Sequence, residues 1–291
     1  MLSEMSVLRN FSESICKKVR QKNMMKNTIM TLLMLAFCLS INAEDHQNCS
    51  CDHHPESAHI ESLPTTLSMG EVSHDKLEVE MEINMMTKYM WRGCDKGGIT
   101  FKPEVMLSWK GLSLTVEGGK GIDKEDEIEL DLELDYEFPF GLNVGIIDYW
   151  DYDEDIDGKY FYYKKDSPHR WEANIGYSND LFSIQAYSIF AGNDYKHNGD
   201  RAYSTYFELT VPFKLSGFDW KAKLGFTPAE SAGSHHAGEN LYADKAAFVM
   251  ASVRATKELH FKNFHLPVYG ELHTNPYTKK AMFVGGVTLE L

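Results

Sequence analysis

The residues of this chain best placed to do chemistry are carboxylates. In the stretch DEIELDLELDYEF, residues 126–138, Glu127, Glu129, Asp131, Glu133, Asp135 and Glu137 take every second position. A line of carboxylates attracts cations and repels anions, so facing an aqueous passage it favours cation entry. Further on, Asp153, Asp155 and Asp157 precede Gly158 with the Asp-x-Asp-x-Asp-Gly spacing that opens a calcium loop. Lys164 stands at the twelfth position, where a bidentate glutamate is required, so a solvated acidic loop is the plainer reading and Ca2+ at 151–158 the sharper one. Near the N-terminus, Cys49, Cys51, His53 and His54, with His46 and His59, mix thiol and imidazole in a way that suits zinc or copper. Cys-x-Cys is too tight for a structural zinc motif, which leaves a His-rich linker as the plainer alternative. Ser167 lies two residues before His169, the nearest approach to a nucleophile and base. With no P-loop, GxGxxG or G-x-S-x-G, the chain is not expected to be an enzyme and no resident cofactor is expected.

The elements that carry these residues follow from periodicity. Ile128, Leu130, Leu132, Leu134, Tyr136 and Phe138 fill the positions between the six carboxylates. A helix would scatter the two sets, whereas a strand separates them onto two faces. Twelve such segments run at about 76–91, 103–110, 112–118, 127–138, 140–150, 169–178, 181–190, 202–213, 218–227, 245–257, 263–273 and 280–291. Tight Gly, Pro, Asn and Asp turns at 109–112, 138–141, 178–181 and 214–217 alternate with long connections at 92–102, 119–126, 151–168, 191–201 and 228–244. Short turns on one side and long loops on the other are the asymmetry of an outer-membrane barrel. Aromatic residues at strand ends, among them Tyr89 and Trp91 closing strand one, are expected in the outward girdles. Asp148 breaks the pattern by falling on an outward parity, which calls for a bulge or an early exit from the membrane.

The remaining composition sets bounds. The net charge is −14, from 43 acidic and 29 basic residues, which argues against a nucleic-acid partner. Lys26, the apolar run 29–39 and Ala43 form a secretory signal with cleavage near Ala43, preceded by an extension whose true start is expected at Met24 or Met25. The domains are therefore 1–43 (extension and signal peptide), 44–75 (flexible His/Cys-containing periplasmic tail) and 76–291 (barrel). Inside the barrel the acidic lining is expected from Glu78, Glu80 and Glu82 together with Glu127 to Glu137, and the basic partners from Lys88, Arg92, Arg170, Lys221, Lys223 and Arg254.

Tyr89, Trp91, Arg92 and Gly93 match a Y-x-W/F-R-G pattern, and Gly145-Ile146-Ile147-Asp148-Tyr149-Trp150 precedes an acidic loop. In both, the chain resembles the TorF-like porin family over about 76–291. Asp151-Tyr152-Asp153-Glu154 stands where that family has Pro-Gly. The resemblance implies a small Gram-negative outer-membrane barrel.

Together these readings predict an all-β, twelve-stranded antiparallel up-and-down transmembrane β-barrel in the Gram-negative outer membrane. Its expected partners are outer-membrane lipid, the barrel-assembly machinery and small solutes that pass through an acidic lumen. The alternatives are a closed structural or binding barrel whose acidic loops engage a partner or divalent ions, and a secreted soluble β-sandwich.

Overall fold

The computed structural model describes residues 76–122, 128–152, 158–164, 167–233, 240–262 and 264–290. The tail with Cys49, Cys51, His53 and His54, the loop aspartates Asp153, Asp155 and Asp157, and Glu127 lie outside the described residues.

All regular structure among the described residues is β. The strands are β1 (Glu78–Met86), β2 (Tyr89–Trp91), β3 (Cys94–Gly97), β4 (Thr100–Trp109), β5 (Leu112–Gly121), β6 (Ile128–Glu137) and β7 (Leu142–Asp151). They continue with β8 (His169–Ser178), β9 (Ser183–Gly192), β10 (Thr205–Leu215), β11 (Phe218–Thr227), β12 (Ala247–His260), β13 (His265–Asn275) and β14 (Lys280–Glu290). Twelve of them, all but β2 and β3, form a closed antiparallel barrel in chain order, sealed by pairing of β1 with β14. This is the up-and-down topology that alternating turns demand. Closure matters because an open edge would present unpaired backbone groups.

The period-2 pattern decides which way each side chain points. On β6, Ile128, Leu134 and Tyr136 are exposed on the outer face, while Glu129 and Asp131 are buried inside. On β4 the inward parity is Thr100, Lys102 and Glu104, and the outward one carries Phe101, Leu107 and Trp109. Most barrel strands hold 10 or 11 residues. At about 3.3 Å per residue and a tilt near 40°, such strands rise roughly 25 Å along the barrel axis.

Tight turns explain how neighbouring strands keep register. Lys110 and Gly111 between β4 and β5 have φ of 51° and 84°, and Ser216 and Gly217 between β10 and β11 have 53° and 75°. Two left-handed residues in a row make the type I′ turn, whose twist matches that of the strands it joins.

The first predicted strand needs correction. β1 leaves the barrel wall at Met86, and residues 87–99 turn inward to form the separate hairpin β2–β3. Tyr89 and Trp91 are accordingly not girdle residues on the outer face; both are buried within the barrel. Alternation alone could not tell the two apart, because a strand that leaves the wall keeps the same period. The hairpin also turns on two left-handed residues, Arg92 (φ 46°) and Gly93 (φ 91°), with Trp91 paired to Cys94. Gly93 is obligatory at this tip: a Cβ there would lie 1.8 Å from the Val249 carbonyl oxygen.

Candidate functional site

The site is the barrel interior at the long-loop end, and its centre is the hairpin tip. Arg92 points into the wall, where Nη1 and Nη2 each donate to the Glu172 carboxylate at 2.7 Å. Nη1 also donates to Tyr242 Oη at 2.5 Å. The guanidinium lies 4.1 Å from the ring centroid of Tyr187 and 4.8 Å from that of Tyr206. Tyr149 Oη donates to the second Glu172 oxygen at 2.7 Å, so the buried carboxylate is satisfied by three donors. Around this ion pair Tyr89, Trp91, Ile189, Tyr206, Tyr242 and Val249 form a buried apolar cluster. Tyr242 comes from the β11–β12 loop, where Ser231 accepts from the Tyr242 and Ala243 amides. Hairpin residues Tyr89 and Trp91 thus pack against loop residues Leu241 and Tyr242. The residues behind the TorF-like resemblance, Tyr89, Trp91, Arg92 and Tyr149, meet here; Trp91 and Tyr149 stack edge to face at 6.4 Å.

Below the hairpin, charged side chains within the barrel form a lattice of ion pairs. Lys102 touches Glu117 and lies 3.0 Å from Glu129. Arg170 bonds Asp151 at 2.5 Å, Arg254 bonds Glu271 at 2.7 Å, and Lys223 pairs with Glu208 at 3.1 Å. Lys88 is spent within the hairpin loop, 2.7 Å from Asp95. Glu133 and Asp135 continue the row toward the short turns, where Asn174 donates to Asp135 at 3.1 Å. Glu78 and Glu80 sit at the short-turn end of β1, and Glu82 is partly covered. The lining residues that the sequence left unmarked are Lys102, Glu104 and Glu117. Their strands alternate weakly, and β4 begins three residues before the segment predicted from position 103; parity with Met106 and Ser108 would have found the first two.

Asp148 lies on the outer side, and no bulge was needed to place it: β7 pairs in unbroken register with β6 and β8. The polar group is satisfied instead by what covers it. His169 Nδ1 is 2.8 Å from Asp148 Oδ1, and Nε2 is 2.6 Å from the Tyr160 carbonyl oxygen. Both partners are acceptors, a demand met by the doubly protonated ring. Tyr160 Oη adds a donor to Asp148 at 3.3 Å, and its ring packs 5.6 Å from that of Trp150. The β7–β8 loop is thereby strapped over the barrel's outside. Ser167 Oγ accepts from the His169 backbone amide, and both ring nitrogens face other groups, so the pair is arranged as a clamp and not as nucleophile and base. At the opposite end, the β12–β13 turn gathers Glu258, His260 and His265, the two Nδ1 atoms 2.9 Å apart.

The geometry defines a closed, antiparallel β-barrel with apolar side chains exposed outside and ion-paired charged side chains buried within. No family model matches the chain, and no curated protein sequence does. The TorF-like resemblance therefore remains a likeness of short motifs. Among solved structures, a NanC porin is 11% identical with a TM-score of 0.44, covering 72% of this chain and 97% of the porin. An OmpF of Salmonella typhi, in complex with daunomycin, is 9% identical with a TM-score of 0.32, covering 75% of this chain and 98% of that one. A Rh. blastica porin mutant is 11% identical with a TM-score of 0.31, covering 74% and 100%. At these identities and scores the likeness adds nothing to what the strand pairing already defines.

Proposed function

We propose that this chain is an outer-membrane barrel of porin type, which passes small cationic or neutral solutes when its hairpin yields. One observation carries the reading. All twelve barrel strands expose at least one large apolar side chain on the outer face, from Val79 on β1 to Phe283 on β14. The charged groups, Lys102, Glu117, Arg170, Glu172 and Glu271 among them, are buried within. That is the inverse of a soluble protein, and it suits hydrocarbon outside. Trp109, Phe140, Tyr177, Phe218, Phe261 and Phe264 gather exposed rings at the short-turn end, where an aromatic girdle would meet the interface.

The carboxylate-rich lining supports cation preference, since anions entering it meet like charge. The packing of hairpin against loop favours a second reading, a barrel closed to flow that serves a structural or binding role. Planar-bilayer recording separates them. The porin reading expects conductance steps with cation preference; anion preference refutes the selectivity, and silence in both the wild type and a hairpin-released variant favours the closed barrel. Membrane fractionation with a heat-modifiability gel tests the location: a chain found soluble and unshifted by boiling sinks both.

A further inference from the structure

One group in the lumen wall is left over from the ion-pair lattice. Glu117 on β5 lies directly across from Asp131 on β6. The row continues with Glu104 across from Glu117, and Glu82 across from Glu104. Like charges directly opposite each other destabilise a sheet, so a barrel that keeps four carboxylates abreast calls for a cation. Lys102 is the ammonium among them. Its three donors are matched by Glu117, by Glu129 and by Tyr89 Oη at 3.1 Å. Asp131 is 1% exposed, and neither of its carboxylate oxygens accepts a hydrogen bond among the described residues. A buried carboxylate left so carries a desolvation cost with no return.

The spacing says what would satisfy it. One oxygen each from Glu117, Glu129 and Asp131 lie within 4.8 Å of one another. A calcium ion with oxygen ligands at about 2.3–2.6 Å reaches donors up to roughly 5 Å apart across its own diameter. We propose that Glu117, Glu129 and Asp131 bind a hard divalent cation of the calcium class in the lumen wall beneath the hairpin. Three carboxylates against one ammonium leave two negative charges, which a divalent ion cancels. The ligands are oxygen throughout, as calcium prefers, and with no thiolate or imidazole in the set zinc and copper are disfavoured. Lys102 is then an internal rival that shares two of the three carboxylates with the ion. The site rests on the acidic-lumen reading only in that cations must reach the interior. Binding is measured in detergent and conduction in bilayers, so either can fail alone.

Calorimetry with calcium chloride on the folded barrel tests it, in the wild type, Asp131→Asn, Lys102→Met and the loop variant Asp153→Asn/Asp155→Asn. Calcium avoids confusion with the imidazoles of His260 and His265. One ion per wild-type chain is expected. Asp131→Asn loses about tenfold or more in affinity because a charged ligand is gone, Lys102→Met gains about tenfold because the rival is gone, and the loop variant is unchanged. No heat in the wild type overturns the proposal. So does binding that Asp131→Asn leaves intact or that only the loop variant abolishes. Should Asp131→Asn fail to show the heat-modifiability of a folded barrel, Lys102→Met decides: it retains every carboxylate, and equal or weaker affinity there overturns the site.

Discussion

Replacing Arg92 with alanine should release the hairpin from the wall. The substitution removes the cationic partner of Glu172, which is wholly buried and accepts two hydrogen bonds from this guanidinium. Removing one partner of a buried ion pair costs about 3–5 kcal/mol, because the other charge is left without compensation. The lost face-on contacts with Tyr187 and Tyr206 act in the same direction and are not independent of that figure. At 1.4 kcal/mol per decade, the ratio of released to seated hairpin rises by roughly two to three and a half orders of magnitude. Single-channel recording reads this directly as a larger fraction of time in the high-conductance state, and the folded band should melt to the unfolded one at lower temperature. The double variant Arg92→Ala/Glu172→Ala is the control: with no stranded carboxylate it should lie closer to wild type than Arg92→Ala alone, a coupling that additive effects cannot give. Identical recordings and melting for wild type and Arg92→Ala would show that the hairpin is held by its apolar contacts and that the ion pair is not its anchor.

Other perturbations test other parts. Gly93→Ala forces a side chain into the Val249 carbonyl at a left-handed position, so the hairpin tip must move; a loss of about 1–3 kcal/mol in thermal or denaturant unfolding is expected, with a rise in open time. Leu134→Arg places a charge on the exposed apolar outer face and should cost about 2–4 kcal/mol in a lipid-folding titration, while Glu133→Gln one position away should cost far less; equal penalties would argue against hydrocarbon outside. His169→Ala removes two charge-assisted bonds worth about 1.5–3 kcal/mol each, and limited proteolysis should cut the β7–β8 loop at least tenfold faster. Burial, and then the charge of Asp148, holds the Tyr160 phenol well above its ordinary range. A group whose pKa is raised by folding gives its stabilisation below the unfolded value and loses it as pH climbs through the folded one. Loop cleavage should therefore rise above about pH 10, and Tyr160→Phe should abolish that alkaline rise.

Much of this architecture was legible in the residues. The strict alternation of β6 and the turn at Lys110-Gly111 each have a local physical cause, so the number of barrel strands and their topology follow from sequence. What escaped was everything set by contacts distant in the chain. Tyr89 and Trp91 have the same parity whether they end an outward strand or begin an inserted hairpin, and only Arg92 meeting Glu172, 80 residues away, decides between them. Asp148 looked like a break in the pattern because the group that satisfies it, His169, sits across a loop. Lys102 was missed because Lys-Pro-Glu near the start of β4 is too short an alternation to declare a face. In this chain Arg92-Gly93 is the two-residue turn that aims a cation at the wall.

The join between β1 and β14 has a consequence for how the molecule comes together. It consists of five registered residue pairs, from Glu82 with Glu290 to Met86 with Gly286, where β1 and β4 share nine. Every other pairing between barrel strands links consecutive strands of the barrel and can form as each hairpin is made. This one spans about two hundred residues, so a curled ribbon must exist before there is a cylinder. Loss of residues 286–290 would unfasten the whole circumference while taking only two registered pairs from the β13–β14 hairpin, so one short stretch of β14 turns the ribbon into a tube.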